Sequence, residues 1–252
     1  MNPDDIMAAA QHARDVYCNS KPDSQTDQEF LKELYGDRLV AFLDCPLEDT
    51  QGMVVLSEID PDMVEVVFRG TKEPKDILTD LKFCRRSLIT CPEHTLFDGI
   101  SVHRGFLCAY APAQSQLERI LADLKKGQVR FEGHSLGAAL SVLAAADEFG
   151  RNRSGVSIIN FGQPRVTNAA GAKLIGEKIK SYIRVVNGPD PVPLVPTLFM
   201  GYRHAVPATY TSLTLVDGLS QAWHQSRAKT VVQFHYMDRY IDRLQEKDSG
   251  GE

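Results

Sequence analysis

The chain of 252 residues carries 33 acidic against 28 basic side chains, a net charge of −5, with 43% hydrophobic and 24% charged residues. That length and balance fit one globular domain over 1–252 with a sizeable core, and leave no cationic footprint for nucleic acid or an anionic membrane surface. No apolar run approaches the roughly 18 residues that a membrane-spanning helix needs. The N-terminal "MNPDDIMAAAQHARDVY" places Ile6, Ala10, Ala13 and Tyr17 on one helical face. It lacks the basic start and apolar centre of a signal peptide, which points to the cytoplasm. A second helix is expected at "EFLKELYG", then strands at "DRLVAFLD", "GMVVLSEI" and "DMVEVVFRG", the first two joined as an antiparallel edge hairpin. From "VHRGFLCAYAPAQSQLERILADLKKG" onward the order becomes helix, strand "QVRFEG", helix "SLGAALSVLAAADEFG", strand "GVSIINFG", helix "AAGAKLIGEKI", strand "SYIRVVNG". Strands alternating with helices of this length build βαβ units, so the expected fold class is α/β with a mostly parallel central sheet flanked by helices. "RHAVPATYTSLTLVDGL" reads as a late hairpin or edge strand. The final helix repeats Phe234, Met237, Ile241 and Leu244, and the tail 248–252 reads as disordered. Cys18, Cys45, Cys84, Cys91 and Cys108 form no CxxC pair, as suits a reducing compartment, while Cys84 and Cys91 can bridge in an oxidising one.

The chemistry concentrates at "VRFEGHSLGAALSVLAAA", residues 129–146. Gly133, Ser135 and Gly137 satisfy GxSxG between a strand and a helix, the setting of the nucleophile elbow of an α/β-hydrolase. The turn is sharp because the serine must stand above the sheet edge, so side chains at 133 and 137 are expected to collide with neighbouring elements. The helix start adds a positive dipole end and unpaired N–H groups, and makes the Leu136 N–H the natural first oxyanion donor.

A serine hydroxyl needs a base, and the base needs a carboxylate to orient it. In this fold they follow in the order Ser, acid, His. Of the later acids, Asp147 and Glu148 lie on the elbow helix and Glu177 on a surface helix. Asp190 sits in the proline-stiffened loop "NGPDPVPLVP" after a strand, where such sheets keep their chemistry. Asp217, Asp238 and Asp242 follow it. His204, His224 and His235 all come after Asp190; His235, at the last helix, has the usual place for the base, and His224 is its closest competitor. His12 and His94 read as surface residues, and the side chain of His134 is expected to point away from Ser135. The scattered histidines lack metal-ligand spacing, so no metal is expected, nor any other cofactor.

"GHSLGAALS", "VVFRGT", "VHRGFLCAY", "NFGQPRV", "VNGPDPVPLVP", "GYRHAV" and "HYMDRY", collinear from about Val40 to Tyr240, together resemble the class 3 lipases, the fungal-lipase-like branch of the α/β-hydrolases. The resemblance implies Ser135 as nucleophile, Asp190 as acid and His235 as base, and it reads Thr71 of "FRGT" as the second oxyanion-hole residue beside Leu136. It implies a lipase or esterase that cleaves acylglycerols or related lipid esters, with phospholipase A1, an acyltransferase and a catalytically silent binding module as alternatives. Asp80 matches a recurring Asp after the lid. His103, Tyr110, Gln163, Pro164 and Arg165 read as packing and loop-shaping residues.

The lid, about residues 72–80, departs from the family pattern. "KEPKDILT" is charged and broken by Pro74, with Ile77 where secreted relatives often carry tryptophan. Ile77 and Leu78 give it a small apolar side that suits substrate lining and at most transient contact with a lipid surface. Shorter or partly dispersed esters are the substrates this implies.

Overall fold

Local signals set the helix starts. In α1 (Pro3–Asp15) the Asn2 side chain and Asp5 form a reciprocal capping box, with proline in the first turn; in α2 (Asp27–Tyr35) Thr26 and Glu29 do the same. The computed structural model describes residues 2–19, 21–45, 50–70, 88–90, 100–151, 153–179, 181–188, 190–210 and 232–249. Strands β1 (Leu39–Cys45), β2 (Thr50–Leu56) and β3 (Met63–Phe68) form an antiparallel meander. After β4 (Leu88–Thr90) and β5 (Ser101–His103), helix α3 (Arg104–Leu124) leads to β6 (Gln128–His134), α4 (Leu136–Gly150) and β7 (Gly155–Phe161). The chain continues through β8 (Thr167–Asn168), α5 (Ala169–Lys178), β9 (Ser181–Val186), β10 (Tyr202–Arg203) and β11 (Thr209–Tyr210) to α6 (Met237–Ser249).

The central sheet has the order β1-β2-β3-β6-β7-β9-β11. Its pairings from β3 to β11 are parallel, so this is the expected α/β architecture with an antiparallel hairpin at one edge. A smaller sheet, β10-β8-β5-β4, lies apart from it. Of the late segment, the described part gives β10 in the small sheet and β11 as a parallel edge strand paired with β9, Thr209 beside Val185, while 211–219 lie outside the described residues. No helix among the described residues is long and apolar enough to cross a membrane.

Strand alternation decides what each face buries. Val64, Val66, Val129, Phe131, Val156 and Ile158 share one core with Leu117 of α3 and Leu140 of α4. On the other face, Ile159, Phe161 and Val185 pack against Ala9, Ala10 and Ala13 of α1 and Met237, Tyr240 and Ile241 of α6. The alternate residues Glu65, Arg130, Glu132 and His134 are equally buried. His12, read from the sequence as a surface residue, is buried as well; its α1 position faces these carboxylates, and Glu132 contacts its Nδ1 at 2.9 Å. The last helix begins at Met237, and Phe234 belongs to the preceding 3-10 turn Gln233–His235. That helix runs through Ser249, so the first two residues of the expected tail are helical; 250–252 lie outside the described residues.

The elbow holds the sheet and α4 together by close backbone approach. A Cβ on Gly133 would sit 2.4 Å from the Gly137 carbonyl carbon, and one on Gly137 would sit 2.1 Å from the Phe68 oxygen. Gly137→Ala therefore forces α4 off β3 and should lower stability by about 1–3 kcal/mol or more, read as a reduced urea midpoint; an unchanged midpoint would show that the backbones part freely.

Candidate active site

Ser135 lies between β6 and α4 with φ 60° and ψ −123°. A non-glycine residue with positive φ is strained, and three contacts maintain it here. The Ser135 N–H donates to the Phe161 carbonyl at 3.1 Å, Gly133 and Gly137 permit the close crossing, and Leu140 and Leu143 seat α4 in the core. Leu136, half-buried, opens α4; its N–H belongs to the first turn, whose donors have no intrahelical acceptor.

The strained turn presents Ser135 Oγ to His235. Oγ lies 2.7 Å from His235 Nε2, and His235 Nδ1 lies 2.8 Å from Asp190 Oδ2. Nδ1–H donates to the carboxylate, which leaves Nε2 as the acceptor for the serine hydroxyl. Ser135, His235 and Asp190 are 1%, 0% and 3% exposed, so their charges develop out of water, where electrostatic interactions are strong. The structure thus brings together three residues that lie 45 and 100 positions apart in the chain.

Asp190 is held as a carboxylate by its donors. The Val192 N–H donates to Oδ1 at 2.9 Å, and the Tyr240 hydroxyl donates to Oδ2 beside His235. Burial alone would raise the Asp190 pKa, but the charge and hydrogen bond of His235, with Tyr240 and Val192, hold it below the usual carboxylate value. Tyr240 reaches the acid from the first turn of α6, five residues beyond His235, so the segment that carries His235 also braces Asp190.

His134, set aside in the sequence because it adjoins Ser135, supports the base from below. Its Nε2 donates to the His235 carbonyl at 2.6 Å, and its ring centroid is 4.5 Å from that of His235. A carbonyl only accepts, so Nε2 carries the proton and Nδ1 accepts the Tyr17 hydroxyl at 2.8 Å. The Tyr17 oxygen in turn receives the Gly70 N–H. Gly162, at φ 55°, lies under the same pair: a Cβ there would come within 2.8 Å of His235 Cε1 and 2.9 Å of Asp190 Oδ2. The Asn187 side chain ties the Phe234 carbonyl to the end of β9 at 3.0 Å.

Tyr17, Tyr240, His134 and Gly162 were not singled out from the sequence as site residues. Tyr240 sits on the apolar stripe of α6 and reads there as packing; the signal for it was its place in "HYMDRY". Among the residues that were named, His103 caps α3 through the Phe106 N–H, and Tyr110 donates to Asp147. Gln163 joins Asn160 and Tyr182, and Arg165 donates to the Leu194 and Pro196 carbonyls, which fixes the loop beyond Asp190. His204 Nε2 donates to the Pro193 carbonyl at 2.8 Å, which occupies its protonated nitrogen. Thr71, Ile77, Leu78, Asp80, His94, Asp217, His224 and the Cys84–Cys91 pair lie outside the described residues. Gly70, immediately before Thr71, is placed beside the elbow: a Cβ there would be 3.2 Å from Ser135 Cβ.

Comparison with known proteins places this geometry. The model of the family "Lipase (class 3)" matches residues 65–200. The chain is 30% identical over 170 residues to a secreted mono- and diacylglycerol lipase A of Penicillium cyclopium, covering 66% of this chain and 53% of that protein. It is 33% identical over 165 residues to a lipase of Rhizomucor miehei, covering 62% and 44%; the chain thus spans about half the length of the curated relatives it matches. Among solved structures, a mono- and diacylglycerol lipase from Aspergillus oryzae superposes with a TM-score of 0.68 at 25% identity, covering 85% of this chain and 81% of that one.

Three imidazoles of the described region are kept neutral. Burial lowers His103 to about 4; burial, with His235 nearby, lowers His134 to about 3; and burial, with Arg184 nearby, lowers His204 to about 3. In the unfolded chain each titrates near its ordinary value of about 6.5. The stability they contribute is complete above that value and is lost as pH falls toward their folded pKa values, because the unfolded chain takes up protons that the folded one refuses. The urea midpoint should therefore begin to fall near about pH 6.5, above the carboxylate range, and continue to fall toward about pH 4.5; a flat midpoint down to about pH 5 would show that these rings titrate normally.

Proposed function

The chain belongs to the class 3 lipases, and from that membership we propose that it hydrolyses carboxylic esters of the acylglycerol type through an acyl-enzyme on Ser135. The observation that carries this is the hydrogen-bonded line from Ser135 Oγ through His235 to Asp190, at 2.7 and 2.8 Å.

In this reading His235 Nε2 takes the serine proton as Oγ attacks the ester carbonyl, and the tetrahedral oxyanion forms beside the start of α4. The Leu136 N–H is one donor to it; Thr71, which follows Gly70 and matches the family's second oxyanion position, is the other. His235 then protonates the departing alcohol. Water attacks the acyl-enzyme by the reverse proton path, and Asp190 keeps the Nδ1–H tautomer and offsets the imidazolium charge in both steps. The substrate class follows from family membership and from the relative in Penicillium cyclopium, which is a mono- and diacylglycerol lipase; partial glycerides and simple esters are the substrates to try first.

A fluorophosphonate probe should label the wild-type chain and leave Ser135→Ala unlabelled. On a panel of p-nitrophenyl esters, mono-, di- and triglycerides and phospholipids, that variant should lose turnover on every substrate the wild type accepts. Absence of both labelling and turnover in the wild type would make the chain a binding module. Thr71→Ala should fold normally and lose about 10²- to 10³-fold in kcat; wild-type turnover in that variant would remove Thr71 from the oxyanion hole.

A further inference from the structure

Beneath the catalytic elements, on the sheet face covered by α1, lies a set of charged groups that the ester chemistry does not use. His12 of α1, Glu65 of β3 and Glu132 of β6 converge, with residue exposures of 7%, 2% and 0%. The His12 Nδ1 atom is 2.9 Å from Glu132 Oε2 and 3.7 Å from Glu65 Oε2. Arg130 binds the other oxygen of each carboxylate: its Nε donates to Glu132 Oε1 at 2.8 Å, and its Nη2 donates to Glu65 Oε1. Arg130 Nη1 also meets Asp5 at 2.9 Å.

The guanidinium therefore orients both carboxylates so that one oxygen of each is turned toward the imidazole nitrogen. Glu65 Oε2, aimed into this space, has no hydrogen-bond partner. An orphaned buried carboxylate oxygen is costly, and it marks a missing positive group. Ligands at ordinary zinc distances of about 2.0–2.2 Å in a tetrahedron stand about 3.4 Å apart. The two separations at Nδ1, 2.9 and 3.7 Å, bracket that value.

Charge points the same way. With neutral His12, the cluster holds three carboxylates, Asp5, Glu65 and Glu132, against one guanidinium, and a divalent cation brings it to neutrality. A proton on His12 leaves one negative charge uncompensated.

We propose that His12 Nδ1, Glu65 Oε2 and Glu132 Oε2 bind a divalent transition-metal ion of the zinc class, with Arg130 as the group that orients its carboxylates. One imidazole with two carboxylates suits zinc better than calcium or magnesium, which take all-oxygen sites. Binding releases a proton from His12 wherever that ring is charged. The ion stands outside the ester chemistry and clamps α1 to β3 and β6, the two strands that lead into Gly70 and Ser135. Ligand spacing in the sequence gives no warning of it, because the partners are 120 residues apart for His12 and Glu132.

The test uses the full chain, stripped with chelator and dialysed, then titrated with zinc by calorimetry and followed by thermal melting. The expected result is one zinc per chain, a raised Tm, and an affinity at least about ten-fold weaker in both Glu65→Gln and His12→Gln. Circular dichroism of each variant without metal shows whether it is folded, and Glu65→Gln keeps the shape of the native side chain. Two results overturn the proposal: no saturable zinc binding by the folded wild type, which would mean that protons alone balance the cluster, or binding that is unchanged in both folded variants, which would place the ion elsewhere.

Discussion

The close crossing of three backbones at the elbow is the constraint on which the rest depends. Gly137 of α4 lies against the end of β3, and Gly133 of β6 lies against Gly137, at separations that admit no side chain. Once those contacts are made, Ser135 has no room to relax its positive φ, and its hydroxyl is driven to the top of the sheet. The strain of one residue, of order 1–3 kcal/mol, is offset by the apolar burial of α4, whose Ala138, Ala139, Leu140, Val142 and Leu143 are all buried. The same crossing brings Gly70 beside Ser135, where a Cβ on Gly70 would lie 3.2 Å from the Ser135 Cβ.

The two faces of the sheet have different tasks. The α3 and α4 face is an apolar core of aliphatic and aromatic side chains and supplies stability. The α1 and α6 face mixes aliphatic residues with Arg130, Glu132, His134 and Glu65, and supplies position. Helix α1 takes part twice on that face, once through His12 against Glu132 and once through Tyr17, just past its end, against His134. Through Tyr17 and His134, Gly70 and His235 are linked by consecutive hydrogen bonds. Removing α1 would thus expose buried charge and loosen both sides of the site together.

Much of this was legible in the sequence, for physical reasons that also explain what was not. The strand-helix alternation, the edge hairpin and the GxSxG turn are local patterns, and each is found where its period and glycines placed it. Asp190 stood out because prolines stiffen its loop, and His235 because of chain order and family pattern. Long-range pairing is invisible to such reading. The alternation of "QVRFEG" says that Arg130 and Glu132 share a face, but not that a histidine in the last turn of the first helix will lie against them. His12 was accordingly read as exposed. His134 was discounted because a neighbour of the nucleophile points to the opposite side, which is true of β6; the 3-10 turn of the base passes beneath that side, and sequence carries no sign of it.

That turn explains why a second histidine beside the base is tolerable. In the proposed acyl transfer His235 would become an imidazolium, and a second cation with its ring centroid 4.5 Å away would oppose it by about 4 kcal/mol at an effective dielectric near 20. Such a penalty would cancel most of what a single oxyanion donor contributes, about 2.7–4 kcal/mol. Burial, with the proximity of His235, lowers the His134 pKa to about 3, so the ring stays neutral and the repulsion never develops. Its N–H is directed to the His235 carbonyl and its other nitrogen accepts from Tyr17, which satisfies both polar atoms without any charge. Asp190 is treated in the opposite way, with Tyr240, Val192 and His235 all donating to keep it ionised. One buried imidazole is thus held neutral below His235, and one buried carboxylate is held charged beside it.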